Sequence, residues 1–264
     1  MPTPSARKLN ATFGRHAQAY VTSPTHASGH SLARLRDHLP PVPGGWALDV
    51  ATGGGHTAAR YAAAGMRVVA SDLVWPMLRA ARGQHGAPNG YVQGAAEALP
   101  VQANAFDVLT CRIAAHHFDD VRAFLAESYR ALKPGGGLGI VDIISPEMQD
   151  AARYCNAFET LRDPSHQWAH TWDEWHVLIK GAGFRMQHAE RVAVAHPLSE
   201  WAARTGCTAP TQWRLRAMLV QAPPPVRQWY AVKATPSADS PQDLVFAIQQ
   251  AVFVARKPGG ASGV

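Results

Sequence analysis

The sequence has few cysteines, few charged residues and no long apolar run, and each shortage excludes a class of protein. Its three cysteines, Cys111, Cys155 and Cys207, lie far apart and form no Cys-x-x-Cys pair. A disulfide framework or a thiolate zinc site is therefore not expected. No stretch approaches the ~18 uninterrupted apolar residues of a membrane span, and residues 1–8 lead into no apolar signal core. We expect a soluble, cytoplasmic chain.

The charge of the chain is low and evenly spread. Charged residues make up 17% of the sequence and hydrophobic residues 47%, which is enough apolar material for a buried core. The 264 residues fit one α/β domain with appendages. The net charge is +6, but basic residues reach only pairs such as Arg7-Lys8, so a nucleic-acid partner is not expected.

Strand and helix patterns alternate after a leading helix. Short apolar stretches at 46–50, 67–70, 91–93, 106–111 and 138–144 are separated by stretches of helical period. This alternation predicts βαβ units and a mainly parallel sheet with right-handed crossovers.

Three segments follow from this pattern. We predict an N-terminal helical segment, 1–43, an α/β core, 44–145, and a C-terminal completion of the same domain, 146–264. The last segment has strand patterns near 189–195 and 244–255. Between them lies a helical insertion, 197–241, with little periodic apolar sequence of its own.

A glycine-rich turn joins the first strand to the first helix of the core. Gly53-x-Gly55-x-x-Ala58 satisfies the dinucleotide fingerprint, and Asp72 has the spacing of a ribose-binding carboxylate. A nicotinamide-dependent oxidoreductase is therefore one hypothesis. Asp49 disfavours it, because a carboxylate ~4 Å from a pyrophosphate charge costs ~4 kcal/mol even at an effective dielectric of 20. Asp49 suits a cationic ligand without phosphate, such as S-adenosylmethionine.

From residue 47 to residue 144, the motifs follow one another as in the class I S-adenosylmethionine-dependent methyltransferases, which the chain resembles. The matching segments are Asp49-x-Ala51-x-Gly53-x-Gly55, Asp72-Leu73, Gly94-Ala95-Ala96-Glu97-Ala98-Leu99-Pro100, residues 111–118, and Leu132-Lys133-Pro134-Gly135-Gly136. The last two are similar to the ubiquinone and menaquinone C-methyltransferases and the wider type 11 methyltransferases. The resemblance implies an α/β, Rossmann-like, doubly wound sheet of seven mostly parallel strands with an antiparallel last strand. It also implies an N-terminal helical lid and a helical insertion between the last two strands.

The resemblance assigns S-adenosylmethionine as the cofactor and S-adenosylhomocysteine as its product. The implied cofactor-binding residues are Asp49, Ala51, Gly53, Gly55, Asp72, Leu73, Met77, Ala95, Ala96, Glu97, Cys111 and Arg112. Two of them depart from the family pattern, since Ala51 replaces the usual first glycine and Ala95 replaces an aspartate that would meet the adenine amino group. These departures raise a third hypothesis, a non-catalytic module that binds S-adenosylmethionine.

The loop after the fourth strand carries the candidate bases. His116 and His117 could take a proton from a phenol, enol or acid, because an imidazole titrates near neutral pH. We favour His116. The alternative is that both histidines only hydrogen-bond the loop.

Candidate substrate-binding residues come from outside the core motifs. They are Phe13, Tyr20, His26, His166 and Trp172. The first three precede the sheet, where a lid could cover the cofactor, although such residues can also simply fasten a leading helix. The pairs His26/His30 and His166/His170 have a helical spacing that zinc can use, but no third ligand is evident, so no metal is expected.

Two absences narrow the acceptor. No Asn/Asp-Pro-Pro-Tyr/Phe motif follows the fourth strand, and no RNA-binding module or basic stripe is present. Methylation of a carbon or oxygen on a small, ring-containing metabolite is what remains. A homodimer is compatible with the sequence.

Overall fold

The computed structural model describes residues 7–14, 29–85, 89–234 and 244–259. Its strands are β1 (Trp46–Val50), β2 (Arg67–Asp72), β3 (Gly90–Gln93), β4 (Phe106–Arg112), β5 (Leu132–Ile143), β6 (Arg185–Pro197), β7 (Lys233–Ala234) and β8 (Leu244–Arg256). They form one sheet in the order β3-β2-β1-β4-β5-β8-β6, and β7 pairs with β8. β1 to β5 run parallel to their neighbours, whereas β8 is antiparallel to β5 and β6. The predicted Rossmann-like sheet is confirmed, and the short β7 adds to it.

Helices connect and cover these strands. They are α1 (residues 7–14), α2 (His30–His38), α3 (His56–Ala63), α4 (Trp75–His85), α5 (Val121–Ala131), α6 (Gln149–Arg162), α7 (Trp172–Gly181), α8 (Leu198–Ala203), α9 (Ala209–Gln221) and α10 (Pro224–Trp229). A short 3-10 helix, Ala115–His117, follows β4. In the described ranges, the helices are too short or too polar to cross a bilayer.

The parallel strands are buried on both faces because successive side chains alternate between two apolar layers. In β1, Leu48 belongs to one hydrophobic cluster and Ala47 to another, and in β4 the same division separates Leu109 from Val108. All four side chains are at most 2% exposed. This two-sided burial explains why these strands read as continuous apolar runs in the sequence.

The helix α2 belongs to the sheet rather than to a lid. Its Leu35, and Leu39 just beyond it, pack against Gly139 of β5, where an added Cβ would lie 2.6 Å from a methyl carbon of each leucine. Glycine therefore allows the close approach of α2 to the strand. Of the predicted N-terminal lid segment, only α1 lies near the carboxyl ends of the strands, where it packs on Val74 and Met77.

The insertion has an apolar core of its own, contrary to the sequence-based expectation. Side chains of α8, α9 and α10 pack with α6 and the first half of β8 around Phe158 and Phe246, which are both fully buried. Each short helix contributes only a few apolar residues, such as Leu215 and Leu219 of α9. No single helix is long enough to show a clear periodicity, which is why the pattern was missed.

Candidate cofactor and acceptor site

A cleft of about 720 Å³ opens at the carboxyl ends of β1, β2 and β4. This position is where ligands bind in open α/β sheets, and the volume suits a small molecule or cofactor. The predicted cofactor residues that line it are Asp49, Ala51, Gly53, Asp72, Leu73, Met77, Ala95, Ala96, Glu97 and Arg112. Leu9, Asn10 and Phe13 of α1 line the same cleft.

Asp49 is a buried carboxylate that organises the turn after β1. Its Oδ2 accepts hydrogen bonds from Thr52 Oγ1 at 2.6 Å and from the backbone N of Ala58 at 3.2 Å, and its Oδ1 accepts one from Thr110 Oγ1 at 2.7 Å. Burial raises the pKa of Asp49 although these hydrogen bonds and the charge of Arg112 oppose the shift. A cation in the cleft would favour its ionised form.

Asp72, at the end of β2, is the second buried carboxylate of the cleft. Its Oδ2 accepts a hydrogen bond from the backbone N of Gly53 at 2.8 Å, and its Oδ1 accepts one from Val74 N at 2.8 Å. The carboxylate thus ties the glycine turn to β2. Burial raises the pKa of Asp72 to about 6.

This raised pKa gives a pH dependence. A carboxylate accepts hydrogen bonds from ribose hydroxyls only at full strength when ionised, so we expect the affinity for S-adenosylmethionine to fall as the pH drops through about 6. The same shift has the opposite sign for folding, since ionising Asp72 costs stability as the pH rises through about 6. Calorimetric titrations between pH 5 and pH 8 measure the affinity. In Asp72→Asn this pH dependence should be lost; a slope that persists would assign it to another group.

The turn itself is strained at one residue. Ala51 has a φ of 51°, a left-handed conformation that an L-residue with a Cβ disfavours by ~1–2 kcal/mol. Gly53 follows with a φ of 54°, where no such cost arises. The alanine at the family's first glycine position therefore keeps the backbone shape of the turn and carries the conformational cost.

We expect Ala51→Gly to stabilise the folded protein by about 0.5–1 kcal/mol, because the gain at φ 51° exceeds the added freedom of glycine in the unfolded chain. Urea unfolding measures the change. The matched control is Ala59→Gly in the middle of α3, which should destabilise by about 1 kcal/mol. A loss of stability in Ala51→Gly would contradict the strain at this position.

Two residues predicted to bind the cofactor do not line the cleft. Gly55 has a φ of 80° and begins α3, and a Cβ there would lie 3.0 Å from the Cβ of Ala81 in α4. Its glycine thus serves the turn and the packing of α3 on α4. Cys111 is fully buried in the core, where the Cys111 thiol has a pKa that burial raises well above its ordinary value. Both assignments are corrected.

The segment after β3 supplies backbone groups to the cleft in place of the missing aspartate side chain. Ala95, Ala96 and Glu97 all line the cleft. Gly94 N donates to the backbone O of Asp72 at 3.1 Å, and the Glu97 carboxylate accepts a hydrogen bond from Asp119 N at 3.0 Å. The loop is therefore held from both sides without a side chain at Ala95.

His116 forms a buried pair with Asp142 of β5. Its Nδ1 donates to Asp142 Oδ1 at 2.6 Å, and its backbone N donates to Oδ2 at 2.7 Å. Burial opposes the protonated form, but the Asp142 carboxylate outweighs burial and raises the pKa of His116. His116 does not line the cofactor cleft, so the structure does not favour it as the base.

His117 occupies the better position for a base. Its Nδ1 lies 3.1 Å from the backbone O of Ser165, a carbonyl that can only accept, so the lone pair is on Nε2. Burial and the neighbouring charge of His116 lower the pKa of His117 to about 4. The ring of Phe13 packs edge-on against it at 5.1 Å between centroids. His117 is thus neutral at pH 7 and lies beneath α1.

A second cavity of about 100 Å³, which we call the polar annex, adjoins the cleft. Phe13, Ile113 and His117 line both cavities. The polar side chains of the annex are His116, Glu159, Arg162, Asp163, His196, Arg204 and Gln250. Ile113, at the boundary, has a φ of 55°, which is unusual for a β-branched residue and is typical of functional sites.

Sequence reasoning did not identify the annex. Glu159, Arg162, His196, Arg204 and Gln250 come from α6, the end of β6, α8 and β8. The one local signal was a charged residue at positions of α6 that face the core, such as Glu159, which is 7% exposed.

The remaining predicted substrate residues lie elsewhere. Trp172 packs on Phe253 of β8 at 5.2 Å between ring centroids and lines neither cavity. His166 is buried beside the annex without lining it, and its Nε2 bonds Asn156 Oδ1 at 2.8 Å. Their assignment as substrate residues is corrected, while Tyr20 and His26 lie outside the described residues.

The histidine pairs considered for zinc do not converge. His166 bonds Asn156, whereas His170 Nδ1 lies 3.2 Å from Glu174 Oε2. Within the described residues, one other group has suitable ligand atoms within 4.8 Å of one another, namely His38, His188 and Glu190. Arg34 already holds that carboxylate through two hydrogen bonds of 2.8 Å, so a metal would have to displace it.

Comparison with known proteins gives matches over the core and beyond it. A family model described as a methyltransferase domain matches residues 48–140. The chain is 32% identical to a candidate methyltransferase of Bacillus halodurans C-125 of known structure, with a TM-score of 0.80 over 86% of this chain and 98% of that one. It is 30% identical to the malonyl-[acyl-carrier protein] O-methyltransferase of Pseudescherichia vulneris over 63% of this chain and 70% of the relative. It is 32% identical to the ubiquinone/menaquinone biosynthesis C-methyltransferase of Cereibacter sphaeroides over 62% of this chain and 64% of the relative.

Proposed function

Because the chain belongs to the S-adenosylmethionine-dependent methyltransferases, we propose that it methylates a carbon or oxygen of a small, ring-containing acceptor. The acceptor binds where the cofactor cleft meets the polar annex. The observation that carries this proposal is His117, a buried neutral imidazole that lines both cavities. The nicotinamide-dependent alternative is not retained, since the matched relatives named above are methyltransferases.

The residues of the cleft fit S-adenosylmethionine. Two buried carboxylates, Asp49 and Asp72, line the cleft, and burial raises the pKa of both. In our proposal Asp49 faces the methionine ammonium and Asp72 accepts from the ribose hydroxyls, while Leu73 and Met77 cover the adenine. When bound, the cofactor supplies a methyl group on a sulfonium whose positive charge is lost on transfer.

His117 and His116 divide the chemistry of the acceptor in this proposal. His117 Nε2 takes the proton that a phenolic or enolic acceptor must lose. The protonated His116, held by Asp142 at 2.6 Å, stabilises the negative charge that develops on the acceptor oxygen. The oxygen, or the carbon conjugated with it, then attacks the methyl group in line with sulfur. Phe13 and Ile113 exclude water from this junction, which strengthens both interactions.

Calorimetric titration with S-adenosylmethionine, S-adenosylhomocysteine and NAD tests the cofactor. We expect both sulfur ligands to bind and NAD to give no heat of binding. Turnover assays against phenols, quinols and amines then test the acceptor class. Methylation of phenols or quinols supports the proposal, whereas methylation of amines alone would overturn it, as would tight NAD binding without a response to either sulfur ligand.

A further inference from the structure

The polar annex contains a guanidinium that is fixed in place but not neutralised. Arg162, at the end of α6, donates from Nε to the backbone O of Trp201 at 3.1 Å, and its guanidinium carbon lies 4.2 Å from the centre of the Trp201 ring. These two contacts set the orientation of the group. Across the part of the chain that the structure describes, its Nη1 and Nη2 donate no hydrogen bond, and its side chain is only 15% exposed.

The acidic residues around Arg162 do not satisfy it. Glu159 Oε2 lies 4.0 Å from Nη1, beyond hydrogen-bond distance. Burial raises the pKa of Glu159 to about 7, so the group is partly protonated at neutral pH. Asp163 is engaged by Ser165, whose backbone N and Oγ donate to Oδ1 at 2.9 and 2.6 Å. Asp142 is engaged by His116. The annex therefore keeps an excess of positive charge.

A second guanidinium, that of Arg204 on the chain just after α8, lines the same cavity. Its Nη2 lies 2.9 Å from His196 Nδ1. Because a guanidinium can only donate, His196 Nδ1 is the acceptor and the imidazole is neutral. Burial, followed by the charge of Arg204, lowers the pKa of His196 to about 4. His196 thus orients Arg204 without cancelling its charge.

An acceptor atom in the wall of the annex is also unsatisfied. Gln250 of β8 is 6% exposed and lines the cavity, and its Oε1 has no hydrogen-bond partner among the described residues. A buried amide oxygen left in this state costs ~1–3 kcal/mol unless a ligand donates to it. The annex therefore presents two cationic groups and one amide acceptor to whatever enters it.

We propose that the polar annex binds a carboxylate of the methyl acceptor through Arg162 and Arg204, and that Gln250 accepts a hydrogen bond from a donor next to that carboxylate. The cavity of about 100 Å³ holds about three water-sized groups, which matches a carboxylate and its neighbouring atom. The rest of the molecule extends past His117 into the cofactor cleft. The acceptor is thus a hydroxy-substituted carboxylic acid, and this inference rests on the proposed methyl transfer for its chemistry.

The test compares acids with their amides on the protein saturated with S-adenosylhomocysteine. Benzoate and 4-hydroxybenzoate are titrated beside benzamide and 4-hydroxybenzamide, which have the same shape without the charge. We expect the acids to bind at least tenfold more tightly, because hydrogen bonds to charged groups are worth about tenfold to a hundredfold in affinity. Equal affinities for acids and amides, or no binding of either acid, would overturn the inference.

Variants locate the carboxylate. Arg204→Gln and the milder Arg162→Lys should each remove most of the preference for the acid and leave the affinity for the amide unchanged. Arg153→Gln, on the exposed face of α6, is the matched control, because it removes one positive charge at a side chain that is 64% exposed and should leave the preference intact. If the control lowers the preference as much as Arg204→Gln does, the carboxylate is bound by general charge and the annex is not its site.

These binding measurements are separate from turnover. Methylation of amides as fast as acids would overturn the inference and leave the proposed methyl transfer standing. Selective binding of acids by a protein that methylates none of the phenols or quinols would do the reverse.

Discussion

Replacing Asp72 with alanine should weaken the binding of S-adenosylmethionine by roughly 100-fold or more. The carboxylate is expected to accept two hydrogen bonds from the ribose, and hydrogen bonds to a charged group contribute ~1.5–3 kcal/mol each. The substitution also removes the acceptor that holds Gly53 N at 2.8 Å, so the glycine turn loses its tie to β2. Calorimetric titration at pH 7.5 measures the loss, and circular dichroism establishes that the variant is folded.

The matched control for this prediction is Asp107→Ala. Asp107 also lies in a strand and accepts from a backbone N, that of Trp46, at 2.8 Å, but it lies at the opposite end of the sheet and pairs with Lys133. We expect this control to lose stability and keep its affinity for the cofactor. If both variants lost affinity equally, the effect would come from the fold rather than from the cleft, and the ribose role of Asp72 would be wrong.

Replacing His117 with glutamine should lower turnover at least 100-fold and leave cofactor affinity unchanged. A positioned base contributes ~10²–10⁴-fold to proton transfer, and glutamine can keep the hydrogen bond to Ser165 O but cannot accept the proton. With saturating cofactor, wild-type kcat/KM should rise with pH through the pKa of His117, which is about 4 in the free protein. The variant should lack this limb.

His176→Gln provides the control for His117. His176 Nδ1 lies 2.9 Å from the backbone O of Trp172, so the local hydrogen bond is alike, but His176 lines neither cavity. Its turnover should stay at the wild-type value. Wild-type turnover in His117→Gln would remove His117 from the chemistry. His116→Gln is a poorer test, because it leaves the buried Asp142 without its charged partner and is expected to destabilise the fold.

The cofactor half of the molecule was predictable because each of its signals is local. Asp49 and Gly53 share one turn, and Asp72 ends the next strand, so the parallel order of β1 and β2 alone brings them together. The fold class followed from the same alternation of strands and helices. Where single residues were misassigned, as with Gly55 and Cys111, the sequence motif was right and the direction of the side chain was not visible in it.

The acceptor half was not predictable for the opposite reason. Arg162 and Arg204 meet only because α8 packs on the end of α6 through Trp201, and Gln250 reaches them from the last strand. Sequence alone also could not choose between His116 and His117. The short 3-10 turn that contains both histidines points one toward Asp142 and the other toward α1.

A crystal structure with S-adenosylhomocysteine and 4-hydroxybenzoate would test the arrangement of cofactor and acceptor most directly. We expect the sulfur to lie in the cleft on one side of His117, the carboxylate to lie between Arg162 and Arg204, and the phenol ring to span the boundary at Ile113. An acceptor bound outside the annex, with the His117 ring out of reach of both ligands, would contradict the proposed site of methyl transfer.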